Sequence, residues 1–118
     1  MPLKDKSFKF AIRIVKLYKY LCSDKKEYVM SKQTLRSGTA IGALYREAEF
    51  AESKADFIHK LAIAQKECNE TIYWLELLKE TGYLTHQQFE GLNTNAIELI
   101  KLLTSIIKSS KKSLNTKH

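Results

Sequence analysis

The stretch from Gln33 to Glu49, QTLRSGTAIGALYREAE, has the spacing of a helix yet carries Gly38 and Gly42 inside it. Each glycine within a helix costs about 1 kcal/mol relative to alanine. Two of them one turn apart need a compensating gain, and close approach supplies one. A backbone without Cβ can lie almost against a neighbouring helix, and Ser37, Ala40, Ala43 and Ala48 keep the surroundings small. A helix broken at Gly38 is the competing reading. Against it, Thr34, Ser37, Ile41, Leu44 and Ala48 hold 3-4 spacing through the segment. The stretch therefore predicts a tightly packed helical assembly.

Outside it, the chain reads as one domain. Its 118 residues suffice for a core without staples. Four glycines and one proline, Pro2, leave too little turn material for a sandwich of many short strands. No apolar run is long enough to span a membrane, and MPLKDKSFKF has no apolar signal-peptide core. The expectation is a cytoplasmic protein. Cys22 and Cys68 stand 46 positions apart on apolar stripes, which favours buried free thiols over a disulfide or a metal pair.

Four helices follow from the periodicity. The first spans Lys4 to Ser23 and has two apolar stripes, Phe8, Ala11, Ile12, Val15, Tyr18 and Cys22 on one side and Phe10, Ile14, Leu17 and Leu21 on another. Together they cover over half the circumference, whereas one core needs a face of roughly 100°. The excess points to self-association, and we assign Phe10, Ile14, Leu17 and Leu21 to a subunit interface, with Ile63 and Trp74 from the third helix.

The second helix runs through the glycines to Phe50. The third starts after Ser53, an N-cap with Asp56 three residues on, and reaches Thr81 ahead of Gly82, a C-cap signal. Its core stripe is Phe57, Leu61, Ala64, Cys68, Ile72 and Leu75. Thr85 and Gln88 form a capping box for the fourth, whose Phe89, Leu92, Ala96, Leu99, Leu103 and Ile106 step 3-4-3-4-3. Residues 1–107 are thus expected to form an all-α, up-down-up-down antiparallel four-helix bundle, with residues 108–118 a basic, flexible tail.

The motifs resemble a family. The run QTLRSGTAIGALYREAEFAESKADFIHKLAIAQKECNETIYWLELLKETGYL resembles the bacterial four-helix-bundle proteins encoded by intervening sequences in 23S rRNA genes. Gln33, Arg36 and Ser37, the small-residue segment, Arg46-Glu47-Ala48, and Glu67 with Glu70 ahead of Trp74-Leu75 carry the likeness. Leu44 stands where that pattern has Asn, and Cys68 where it has Ala. The resemblance implies a closed homo-oligomeric ring, a pentamer. It also brings in relatives from diversity-generating retroelements, basic bundles that associate with nucleic acid and a reverse transcriptase, so a reverse transcriptase or another protein joins the candidate partners.

Net charge is +7, distributed as +5 over residues 1–30, +1 over 31–50, −2 over 51–84 and +3 over 85–118. Such asymmetry suggests a polyanionic partner. Lys6, Lys9, Arg13 and Lys16, at 3-4-3 spacing with Tyr20 among them, form a basic strip along one ridge of the first helix. An ordinary solvated face is the alternative, but acids would then intersperse. Charge along a ridge suits phosphates rather than base edges. Arg36 and Arg46 either extend that surface or pair with Glu47 and Glu49. Lys108, Lys111, Lys112 and Lys117 add tail charge that either binds polyanions or merely solubilises.

No chemistry is legible. Asp56-x-x-His59 lacks the second copy that a carboxylate-bridged metal pair needs, and neither a phosphate loop nor a motif-framed nucleophile occurs. The expected protein is non-enzymatic, without metal or cofactor. It self-associates and presents a basic surface to RNA or DNA backbone; a structural adaptor for another protein is the alternative.

Overall fold

The structure, a computed structural model, describes residues 2–115. Helices α1 (Pro2–Ser23), α2 (Met30–Glu49), α3 (Lys54–Glu80) and α4 (His86–Asn115) form an antiparallel four-helix bundle measuring 55 × 22 × 20 Å. Each helix packs on its neighbours in chain order, and α4 returns beside α1 to close the bundle along its loosest seam. Among the described residues, no helix is long and apolar enough to cross a membrane.

The glycine helix is unbroken, and both glycines face α1. A Cβ at Gly38 would lie 2.8 Å from Ile14 Cγ1, and one at Gly42 would lie 3.3 Å from Ser7 Oγ and 3.5 Å from the Ser7 carbonyl oxygen. This approach selects which side of α1 turns inward. Leu3, Ser7, Phe10, Ile14, Leu17 and Leu21 are the buried stripe.

The interface expectation is corrected here. Phe10, Ile14, Leu17 and Leu21 fill the core of the single chain, so no second subunit can use them. The opposite stripe is the one left in solvent: Phe8 is 52% exposed, Ile12 42% and Val15 37%. Ile63 and Trp74 on α3 are half-buried.

Three local sequence signals form as expected. Ser53 Oγ accepts from the Asp56 N–H at 3.0 Å. Thr85 and Gln88 exchange hydrogen bonds of 2.9 and 3.1 Å. Gly82 adopts φ 86° beyond the end of α3, a left-handed conformation that suits glycine. In α3 the core positions are Ile58, Leu61, Ala64, Cys68, Thr71, Leu75 and Leu78, with Phe57 and Ile72 half-buried beside them. Thr71 enters the core because its hydroxyl sits 2.9 Å from Ser37 Oγ of α2 and 2.8 Å from the Glu67 carbonyl.

The tail expectation is corrected for residues 108–115, the part of it that the structure describes. Helix α4 continues past Ile107 through Lys111 and Lys112 to Asn115. Buried Leu103, Ile107 and Ser110 and half-buried Leu114 keep 4-3-4 spacing, so the core stripe itself extends into the polar-looking segment. Lys117 lies outside the described residues.

Candidate nucleic-acid interface

The seam between α1 and α4 gathers the basic strip. Lys6, Lys9, Arg13 and Lys16 are all exposed. Below them lie two hollows, one of 440 Å³ touching Lys6, Lys9 and Arg13 and one of 280 Å³ touching Arg13 and Lys16.

The strip is less free than its sequence suggests. Lys6 Nζ donates to Glu98 Oε2 of α4 at 2.8 Å, and Asp5 also lines the larger hollow. Arg13 Nη1 donates to the Gly91 carbonyl at 3.0 Å and to Asn95 Oδ1. Gly91 leaves room for that guanidinium, since a Cβ there would come within 3.2 Å of Arg13 Nη2. Among the described residues no ion pair engages Lys9 or Lys16. Acids therefore do intersperse, but they come from Asp5, at the strip's edge, and from α4, which helical spacing within α1 does not reveal.

The remaining arginines stand elsewhere. Arg36 on α2 bridges to α3, with Nη1 donating to Glu67 Oε2 at 3.0 Å and Nη2 to Glu70 Oε2. Glu70 Oε2 also accepts from Trp74 Nε1 at 3.0 Å. Donation by Trp74 and then by Arg36 holds the Glu70 carboxyl below its usual value. This cluster ties α2 to α3 and is separate from the α1 strip. Arg46 lies 5.1 Å from the Phe8 ring centroid, a cation–π contact across α1 and α2. The acids expected as its partners take lysines instead: Glu47 pairs with Lys60 at 3.2 Å and Glu49 with Lys4 at 3.5 Å. Lys111 and Lys112 are exposed on the last turns of α4.

Sequence reasoning passed over Glu27, which looks like loop filler. Its carboxylate is buried and receives the N–H groups of Val29, Met30 and Ser31 at 3.1, 3.0 and 2.7 Å, so it caps α2. Burial opposes ionisation, but the three donors outweigh it and hold the carboxyl below its ordinary value. Lys26, at φ 55°, makes the turn that brings Glu27 back. Among the described residues no three His, Cys, Asp or Glu side chains gather as a metal site would require. Asp56 instead accepts from the Glu52 N–H at 3.2 Å, beside the α3 cap.

The profile of the 23S rRNA-intervening sequence proteins matches residues 2–105. The chain belongs to that family. It is also similar to a crystal structure of a protein of unknown function from the S23 ribosomal protein family of Bacteroides thetaiotaomicron VPI-5482. The identity is 63% and the TM-score 0.89, over 90% of this chain and 98% of that one. The chain has no significant match among curated proteins.

The two departures from the resembled pattern, Leu44 and Cys68, lie inside the bundle. Leu44 is half-buried against the core. Cys68 is fully buried; its thiol donates to the Ala96 carbonyl at 3.3 Å, and burial pushes its pKa up to about 12. Both Cys22 and Cys68 are free thiols.

Proposed function

We propose that this protein is a non-enzymatic, self-associating bundle that binds nucleic-acid backbone along the α1–α4 seam. The observation that carries the reading is the placement of Lys9, Arg13 and Lys16 on one exposed ridge, with no ion pair holding either lysine among the described residues. The ridge runs along a straight helix, where successive cations rise about 5 Å per turn, a spacing on the scale of backbone phosphates. The family's association with 23S rRNA genes supports RNA as the polyanion. Self-association rests on the exposed Phe8, Ile12 and Val15 stripe, and a closed ring, a pentamer by family resemblance, would repeat the ridge on every subunit.

Lys9→Gln with Lys16→Gln tests the reading, because neither lysine supports the bundle. In a fluorescence-anisotropy titration at several salt concentrations, the double variant should bind structured RNA and duplex DNA more weakly. The slope of log affinity against log salt on DNA should flatten by about 0.9 for each phosphate no longer neutralised. Sequence preference should be unchanged, since backbone contacts carry none. Equal affinities and slopes would remove the role from α1. Absence of wild-type binding at low salt would favour the protein-adaptor alternative, for which the same apolar stripe is the obvious docking face.

A further inference from the structure

The two hollows on the α1–α4 seam differ in chemistry. The larger has mixed sign, with Asp5 and Glu98 among its lining residues and Lys6 already paired. The smaller has a floor of Leu17, Leu84 and Leu92 and a rim of Arg13, Lys16, Tyr20 and Gln88, with no acid lining it. Apolar floor, aromatic edge, an amide and two cations are the parts that hold an anionic ligand with a flat ring.

We propose that this smaller hollow receives an unpaired base of a single-stranded nucleic acid whose phosphates lie on Arg13 and Lys16. This inference rests on the backbone-binding reading and names the form of nucleic acid that the ridge accepts. At 280 Å³ the hollow lies at the lower limit of ligand pockets, room for one ring system but not for a duplex edge.

Each lining group has a task. Tyr20 is half-buried and packed against the core, so its ring is held in place. Lys25 Nζ lies over the Tyr20 ring, 5.9 Å from its centroid, without lining the hollow. Stacking on such a ring tolerates any base, because every base has a π face. Gln88 is oriented by the α4 cap: its Oε1 accepts from the Thr85 N–H at 2.9 Å. That bond leaves the Nε2 hydrogens to donate to acceptor atoms on a base edge. In a duplex the same edges and faces are taken up by pairing and stacking, so a base must first be pulled out of its stack before it can enter. Single strands avoid that cost, so the hollow discriminates between forms of nucleic acid while the ridge alone does not.

The test compares three probes of equal phosphate count: a single strand, a duplex of half its length, and a single strand of abasic sugars as long as the first. Ribose and deoxyribose versions of the normal single strand separate RNA from DNA. The wild-type protein should bind the normal single strand at least about fivefold more tightly than the abasic one. Tyr20→Leu should abolish that ratio and leave abasic binding unchanged, and Tyr20→Phe should keep it. Equal binding of normal and abasic strands by the wild type would overturn the base-receiving hollow while leaving the phosphate ridge intact. So would a tighter hold on the duplex than on the single strand. Failure of every probe to bind at low salt would overturn both readings together. The wild-type comparison needs no substitution, so a Tyr20 variant that unfolds does not affect it.

Discussion

The Cβ position of Gly38 lies 2.8 Å from Cγ1 and 2.9 Å from Cγ2 of Ile14, closer than a side-chain carbon can stand. Ile14 is fully buried and branched at that point, so it has little freedom to retreat.

Gly38→Ala should therefore destabilise the protein although alanine is the better helix former. Overpacking costs about 1–3 kcal/mol, against a propensity gain of about 1 kcal/mol. Gly91→Ala is the control. Its new methyl meets only the far end of Arg13, at 3.2 Å, and a guanidinium on a flexible stem moves easily. That variant should gain up to about 1 kcal/mol. Urea denaturation should rank Gly91→Ala above the wild type and Gly38→Ala below it, and a stabilised Gly38→Ala would contradict the close approach of α1 and α2.

Glu27→Ala should remove the cap of α2 and lower stability by about 0.5–2 kcal/mol at neutral pH. Glu27→Gln keeps an acceptor but loses the charge that favours a helix N-terminus. Because the folded-state carboxyl is held below its ordinary value of 4.5, its ionic contribution is complete above that value. It disappears as the pH falls through the lower, folded-state value. The stability difference between wild type and Glu27→Gln should therefore be full at pH 7 and close in acid. A difference that grew on acidification would contradict the cap.

Trp74 is the single tryptophan of the chain and donates to Glu70, so its emission should report that carboxylate. Acid titration should show an emission change with its midpoint below the ordinary carboxylate value of 4.5. Arg36→Ala should move the midpoint upward by removing one donor to the charged form. The stability change should stay within about 1 kcal/mol, since the Arg36 side chain is half exposed and its pairs are screened. An unmoved midpoint would separate Arg36 from Glu70 in solution.

Self-association should depend on the exposed stripe of α1 and not on the stripe assigned from sequence. Wild type should scatter light as a multiple of 13.6 kDa. Ile12→Asp should reduce it to a single folded chain, because a carboxylate at the centre of an apolar contact is left unpaired. A wild type of single-chain mass would sink the oligomer outright.

The bundle is readable because three of its signals are local. Glycine-bearing 3-4 spacing, the Thr85–Gln88 box and Gly82 each act within one or two turns. The two sides of α1 are not distinguished in the same way, since both are apolar and spacing ranks neither. The choice depends on α2: Ser7 and Ile14 fit the glycine notch, whereas Phe8 and Ile12 lie on the other stripe. Only the partner helix that the glycines demand identifies the inward side. The end of α4 is hidden because Ser110 reads as polar while serving as a small core residue. At the candidate site, the positions of the cations are legible. Their partners Glu98, Asn95 and Gly91 are not, because they arrive from the opposite end of the chain.

That distance in sequence has a consequence for how the molecule assembles and opens. Lys6 and Glu98 are 92 residues apart, whereas every other seam joins helices consecutive in the chain. Closing the α1–α4 seam therefore carries the largest loop-entropy cost for the least packing. It should form late in folding and be the first to breathe. Amide exchange should accordingly be faster on the facing turns of α1 and α4 than in the α2–α3 pair. A strand lying across the seam would clasp the first helix to the last, so its binding should slow exchange there and delay unfolding of the whole chain.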